Sequence, residues 1–409
     1  MRTESPHFTF LLASIAALTS LSIDMSLPSV PLVERQFGLL AGQGGLTLSV
    51  FLAGYALTPL IGGSFADRFG RRPLLLVSLG SFAASALACA LAPTFRTLLA
   101  FRFLQGCASG VSTTLPLAIV RDLLQGAAAR RRISEVTTIN GMMPIVAPIF
   151  GTWIMSLGNW RFIFATQSAF AICICFAFLF NFHESLPVEH RQRLRLAQYS
   201  RNYIRLLSNR VFLIHSIIYA LIFASMFSFI SVSPLILMQR MGADRPTFTG
   251  FFVFIATGTV LGSFFSARAS RKSGSAQQVI MGGLLCMLAA SLLGAVLQFA
   301  GRHTPIAILP FVFLTLLGFG YAGPSVTVEA LEPIPELAGA GSGALRTIFM
   351  GAGSGTSALL AYYCARHYDR SEVATTLTMS VTTLIALSMY LSLLRSTARI
   401  QEREQRSLP

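Results

Sequence analysis

Charge is scarce in this chain. Only 11% of its 409 residues are charged, against about 25% in an ordinary soluble domain. Lysine is nearly missing: Lys272 stands alone among 31 basic residues. Polar stretches are correspondingly few, and a soluble core cannot absorb the 54% of residues that are hydrophobic, whereas lipid can. Cysteine is sparse and unpatterned. Cys89, Cys107, Cys173, Cys175, Cys286 and Cys364 all lie in or at the ends of apolar runs, and no spacing suggests a metal site or a disulfide framework. They read as small buried hydrophobes. No metal-ligand cluster, nucleophile with a base, or phosphate-cradling glycine loop is present, which argues against an enzyme.

What the chain does have is apolar length. A transmembrane helix needs about 20 apolar residues, and twelve stretches qualify: 8–33, 44–66, 73–94, 97–120, 136–158, 162–182, 211–239, 246–267, 275–300, 304–328, 337–365 and 373–394. The first is too long, and too lightly charged before it, for a cleaved signal peptide. The reading is an all-α integral membrane protein of twelve helices. Its parts are a six-helix bundle over 1–182, a linker over 183–210, and a second six-helix bundle with a tail over 211–409. In the linker, Leu196, Tyr199, Tyr203 and Leu206 recur at helical spacing between Arg195, Arg201 and Arg205. An amphipathic helix on the lipid surface fits that pattern, and so does a solvated basic linker.

The net charge of +15 needs no nucleic acid. With the N-terminus inside, the inner loops and tails hold 21 of the 31 basic residues, the outer loops eight and the spans two. Cytoplasmic loops collect Arg and Lys, so both termini are expected in the cytoplasm. A short repeat relates the halves: Gly63-Ser64-Phe65 closes the second span, and Gly262-Ser263-Phe264 closes the eighth, 199 residues later. Both lead into basic loops, as repeated carriers do.

Three charges lie well inside spans: Asp24, Arg102 and Arg346. Ionised groups in hydrocarbon persist where they pair or line a wet cavity. Asp24 lies about 10 Å from the outer end of its helix and Arg102 about 8 Å, at 1.5 Å rise per residue. Their matched depths predict an ion pair. A carboxylate in a dry site resists ionisation while a nearby arginine favours it, so the pair could couple proton binding to motion. The alternative is a permanent bridge that only fixes packing, a poor route to stability for a buried pair. Arg346 sits near mid-membrane, where it could attract an anionic or polar group or satisfy carbonyls of a broken helix. His215 reads as a packed histidine. Glu329, Glu332 and Glu336 crowd one inner loop, as a local acidic gate or a solvated turn.

The string Gly63-Ser64-Phe65-Ala66-Asp67-Arg68-Phe69-Gly70-Arg71-Arg72-Pro73 is the most specific in the chain. Small Gly63 permits close helix approach, Gly70 a tight turn, and Pro73 a helix start. The string resembles the loop between helices two and three of the major facilitator superfamily. Leu52 to Leu57, Asp24-Met25-Ser26-Leu27-Pro28, Arg102-Phe103-Leu104-Gln105-Gly106, Arg121-Asp122, Ala147 to Gly151, Trp160 to Phe164 and Glu184 to Pro187 resemble its bicyclomycin/chloramphenicol-resistance branch of drug:proton antiporters.

That resemblance implies two six-helix bundles rocking around a central cavity. It also implies a conformational latch of Gly63, Asp67, Arg68, Gly70, Arg71, Arg72 and Asp122. Proton coupling falls to Asp24 and Arg102, and an antiporter motif to Pro144, Pro148 and Gly151. Two departures stand in that motif, Ala147 and Thr152, where exporters carry glycine. Candidate cavity residues are Phe51, Tyr55, Gln105, Asn140, Met142, Met143, Tyr219, Phe223, Phe227, Phe254 and Arg346, an aromatic and sulfur-rich set suited to varied amphiphiles.

The expected function is proton-coupled efflux of small amphiphilic molecules across a bacterial inner membrane. The expected partners are substrate, protons and lipid; no cofactor beyond the proton gradient and no nucleic acid are required. A monomer is expected. Some multidrug relatives carry an acid where this chain has Ala16 and Ala17, which implies neutral or zwitterionic cargo. The alternatives are a transporter dedicated to one physiological solute and, more remotely, a sensor without transport.

Overall fold

The computed structural model describes residues 5–187, 189, 191, 196–271, 275–301 and 304–406. Lys272 and Arg195 lie outside the described residues, as do the side chains of Leu196 and Tyr199. Among the described residues every regular element is a helix. In order they are α1 Pro6–Asp24, α2 Val30–Phe37, α3 Leu46–Leu57, α4 Pro59–Phe69, α5 Arg71–Ala90, α6 Phe95–Leu123, α7 Gly126–Ser156 and α8 Arg161–Asn181. Then follow α9 Leu196–Ser208, α10 Arg210–Ser233 continued by a wider π turn Pro234–Arg240, α11 Arg245–Arg271, α12 Ala276–Phe299, α13 Pro305–Leu331, α14 Ala338–Arg366 and α15 Ser371–Arg406.

Among the described residues ten helices are long and apolar enough to cross a bilayer, and α3 with α4, bent by 45° at their junction, makes an eleventh. α14 is 29 residues long but rich in glycine and serine, so its hydropathy is diluted. It still packs between both halves and completes the expected twelve. The first expected span is two helices, because Pro28 and Pro31 interrupt it after Asp24. Proline removes a helical N–H and clashes with the preceding turn. α4 likewise begins with Pro59.

Local chemistry explains the helix starts. Thr94 and Thr97 form a reciprocal capping box at α6. Asn209, Ser275 and Thr304 cap α10, α12 and α13 with side-chain oxygens, each satisfying an orphan N–H. Gly70, at φ 99°, makes the sharp turn between α4 and α5.

The two halves pack alike. In the first, α1 lies on α7, α3 on α6, and α5 on α8; in the second, α10 lies on α14, α11 on α13, and α12 on α15. Glycine makes the matching close approaches. A Cβ on Gly54 would strike the Phe103 carbonyl, and one on Gly106 the Phe51 carbonyl, at the α3–α6 crossing. Gly262 meets Leu317 and Gly320 meets Thr259 in the same way between α11 and α13. Lipid supplies no hydrophobic drive between helices, so such close packing holds them together.

Two bundles therefore face each other along α3–α14, α4–α14 and α7–α11. On the face away from the chain ends, an apolar core closes the seam. It joins Ile23, Leu27, Leu48, Phe51 and Leu52 of the first half to Phe223, Phe227, Ile230, Phe248 and Phe252 of the second. On the face carrying the chain ends the seam is open. α9 docks across that opening: Tyr203 donates to the Leu60 carbonyl at 2.7 Å, and Leu206 is buried against Phe212, Ala330 and Ala344. So the linker helix packs on protein at Tyr203 and Leu206, where the sequence reading had lipid or solvent.

Gly63 does not behave as expected. A Cβ there would meet nothing within 4 Å, because the 45° bend turns α4 toward the open mouth and leaves the close crossings to Gly54 and Gly106. Gly106→Ala is therefore expected to lower stability by about 1–3 kcal/mol through backbone overpacking, while Gly63→Ala leaves it unchanged. Thermal unfolding of the two variants in the same detergent measures the difference.

Candidate functional site

Asp24 is the last residue of α1 and is 6% exposed. Its carboxylate forms no hydrogen bond or ion pair among the described residues. The expected pair with Arg102 is not made. Arg102 is fully buried and its donors go elsewhere: to the Ser22 carbonyl at 3.3 Å, the Thr47 carbonyl at 3.3 Å and Gln105 Oε1 at 2.8 Å. Its guanidinium also lies 4.5 Å from the Phe51 ring centre and 5.5 Å from that of Phe164. The physical reason is the break in α1. A helix end leaves carbonyls without helical partners, and a guanidinium offers five fixed N–H donors. Ser22 lies in that last turn.

Gln105 belongs to this polar web and not to an open cavity. It is fully buried and donates to Gln167 Oε1 at 2.9 Å, while Gln167 also receives Ser22 Oγ at 3.3 Å. Thr19 joins Ser109 and Thr113 at 2.7 Å each. Phe51 is buried under Arg102 and in the apolar closure.

α7 presses against the same break. A Cβ on Gly151 would strike the Met25 carbonyl, and Ala147 is fully buried in the cluster that holds Met25. Pro144 and Pro148 lie inside α7. Thr152 meets Thr249 of α11 by a hydroxyl hydrogen bond at 2.5 Å, across the two halves. The departure from glycine at position 152 thus carries a cross-bundle bond.

A cavity of about 500 Å³ opens on the face of the chain ends. Gly63, Asp67, Arg71, Asp122, Glu336 and Arg346 are among its lining residues. Arg346 marks its inner end: one guanidinium nitrogen donates to Tyr55 Oη at 3.1 Å, and Tyr219 is within electrostatic reach. Tyr219 and Phe223 put their ring centres 5.0 and 4.8 Å from Phe349. Phe223 stacks on Phe227 at 5.4 Å. Asn140 and Met143 are half-buried, and Met142 is exposed, on α7. Asn140 Oδ1 is buried without a hydrogen-bond partner. Phe254 is apart from this group; it stacks on Phe313 at 5.0 Å and keeps nearly half its surface exposed.

The loop motif is assembled around Arg71, which bonds Asp67 at 2.7 Å and Asp122 at 2.9 Å. Arg72 turns away and donates to the Leu179 carbonyl at 2.9 Å, and Arg68 lies over Phe69. Glu184 seals the turn by accepting the backbone N–H groups of Arg71 at 2.9 Å and Arg72 at 3.2 Å. A carboxylate at a helix N-terminus is favoured by the helix dipole. The same carboxylate occupies the space a Gly70 Cβ would need. All of these partners belong to the first half or the turn after it. Glu336, on the other rim, pairs with Arg205 of α9 at 2.8 Å.

Glu34 was missed by sequence reasoning. It is 4% exposed at the far face and accepts from the backbone N–H of Gly42 at 2.8 Å, Gly44 at 2.7 Å, and Gln239 Nε2 at 2.6 Å. The last bond spans the two halves. Arg240 beside it is anchored to Glu372 at 2.5 Å and Asp369 at 3.4 Å, which fixes the reach of Gln239. In sequence Glu34 stands just past the first apolar stretch beside Arg35, and the nearby Gly42, Gly44 and Gly45 were the available hint of a carboxylate nest.

The family model described as the Major Facilitator Superfamily matches residues 12–358. The chain is 29% identical over 360 residues to the MFS-type transporter YdgK of Bacillus subtilis (strain 168), covering 87% of this chain and 89% of that one. It is 31% identical over 348 residues to the multidrug resistance protein MdtL of Klebsiella pneumoniae (strain 342), covering 82% and 84%. Among solved structures, a bacterial homolog of the human lysosomal transporter Spinster, inward-facing and occupied, superposes with a TM-score of 0.75 at 17% identity, over 97% of this chain and 98% of that chain. A D-xylose-proton symporter gives 0.72 at 16% identity, over 93% and 97%.

The Glu34–Gln239 bond makes the far face testable. Cys364 is fully buried there, next to Gly42. With the other five cysteines replaced by serine, Gln239→Ala is expected to raise its labelling rate by a membrane-impermeant maleimide about tenfold, the loss of one hydrogen bond to a charged group. The rate is read by gel shift in intact vesicles with the far face outward.

Proposed function

The chain belongs to the major facilitator superfamily, and from that premise we propose that it is a proton-coupled antiporter exporting small amphiphilic organic molecules. It is a multi-pass membrane transporter and not an enzyme. The observation that carries the coupling is Asp24: a buried carboxylate at a helix break, with no cation bound to it. An uncompensated charge in hydrocarbon is costly. Such a group is resolved by a proton or by water, and its choice follows whether the halves admit water to it.

The geometry supports a sequence of steps. Substrate enters the 500 Å³ cavity while the apolar closure seals the far face. Tilting of the halves opens the far face beside the α7–α1 contact at Gly151 and Met25, next to Asp24. Asp24 then takes a proton from that side and releases it after the return. The Asp67, Arg71 and Asp122 cluster meets the second half when the cavity closes. By the distribution of arginine, the open mouth and both termini face the cytoplasm of a bacterium, and the far face lies outside the inner membrane. The name multidrug resistance protein, borne by a relative of 31% identity, supports export of drug-like molecules. The protein works as a monomer, one cavity per chain.

In vesicles with an imposed pH gradient, Asp24→Asn is expected to abolish uphill transport to the level of empty vesicles while substrate binding stays within about twofold, since no contact holding the fold involves that carboxylate. Uphill transport by Asp24→Asn at the normal rate would remove the residue from the mechanism.

A further inference from the structure

Arg346 carries a charge that the proposed antiport cycle does not use. The acids lining the cavity are already engaged: Asp67 and Asp122 share Arg71, and Glu336 takes Arg205. Among the described residues no ion pair includes Arg346. Its hydrogen bond to Tyr55 Oη uses one of its five N–H donors. An unmatched guanidinium at membrane depth, half-buried at the end of a cavity, is a poor structural element and a good anion receptor.

The surroundings narrow the anion. Phe349 follows Arg346 by three residues, so both share one face of α14. Its ring contacts Tyr219 and Phe223, which both lie against Phe319 at 5.8 and 6.2 Å. An aromatic wall thus adjoins the guanidinium. Tyr55 comes from the first half and Arg346 from the second, so their hydrogen bond holds the guanidinium at the seam.

We infer that the inner end of the cavity binds amphiphilic organic anions, with a carboxylate on Arg346 and an aromatic body against the half-buried rings of Tyr219 and Phe349, just beyond the residues that line the mouth. This departs from the neutral or zwitterionic cargo suggested by Ala16 and Ala17, although the lack of an acid there agrees with poor binding of cations. The inference rests on the exporter reading only for its biological use, because its test measures binding and needs no flux.

The test uses the full chain in lipid nanodiscs at pH 7.5 and three probes with one ring system: 2-naphthoate, 2-naphthamide and 2-naphthylmethylammonium. Equilibrium dialysis is expected to rank naphthoate at least about tenfold tighter than the amide, as one charge-assisted hydrogen bond contributes, with the cation weakest. Arg346→Gln should erase the preference and leave the amide within about twofold. Arg346→Lys should restore part of it, and Tyr55→Phe should keep it. The inference is overturned if naphthoate fails to bind, or if the wild-type chain shows no preference. It is also overturned if Arg346→Gln and Tyr55→Phe weaken all three probes alike, which would mean that the Arg346–Tyr55 bond only joins the halves. A retained naphthoate preference without proton-driven export would sink the exporter reading alone.

Discussion

Arg102 decides what Asp24 can do. Its guanidinium holds the frayed end of α1, the start of α3 through the Thr47 carbonyl, and the Gln105–Gln167 pair, all without a carboxylate. Two aromatic rings cover its faces. A buried ion pair offers little net stability, because desolvation offsets attraction. A guanidinium spread over carbonyls and an amide keeps the helices in register instead. The cost is shifted to Asp24, which is left with its charge uncompensated, and only such a group responds strongly to a change in hydration.

The two halves must separate repeatedly, and their seam reflects that. Within each half, glycines bring helix backbones into contact, as at Gly106 on Phe51 and Gly320 on Thr259. Across the seam the side-chain hydrogen bonds include Glu34 to Gln239, Thr152 to Thr249, and a row between α3 and α14: Ser49 to Ser357, Ser354 to the Ser49 carbonyl, Arg346 to Tyr55 and Thr347 to the Ala56 carbonyl. Apolar side chains fill the rest of the far face. Non-directional contacts of that kind can be broken and re-made without leaving buried polar groups unpaired. Rigid halves with a soft seam are what alternating access requires.

Most of the architecture was legible in the sequence because lipid demands long apolar runs. The twelve helices could be read that way, and the superfamily from the resemblance of the Gly63 to Pro73 string. The partner of Arg102 could not, since matched depth along two helices says nothing about which carbonyls a helix break releases. Gly63 misled for a related reason: a bend at Pro59 redirects the helix. Glu34 was hidden among loop charges and Glu184 was singled out only by resemblance, because a carboxylate that accepts backbone N–H groups has no distinctive neighbours in sequence. α14 was read as one apolar run, but its hydropathy is diluted by glycines that serve the contacts with Pro59 and Phe223.

Two unmatched charges of opposite sign now face each other across the mechanism, Asp24 in the first half and Arg346 in the second. Electrostatics alone would favour carrying an anion and a proton together, because an anion on Arg346 repels an ionised Asp24. Antiport needs the opposite coupling, in which one ligand leaves before the other binds. That sign cannot come from charge; it has to come from shape. The seam supplies one route: α7 touches α1 at Met25, immediately after Asp24, and reaches α11 through Thr152. When rigid halves tilt, the seam at Thr152 opens or closes next to the break in α1, and in the proposed cycle the side from which water reaches the carboxylate changes with it. In the proposed cycle the sign of the exchange is therefore set by which side of the seam is open, and not by the attraction or repulsion of the two charges.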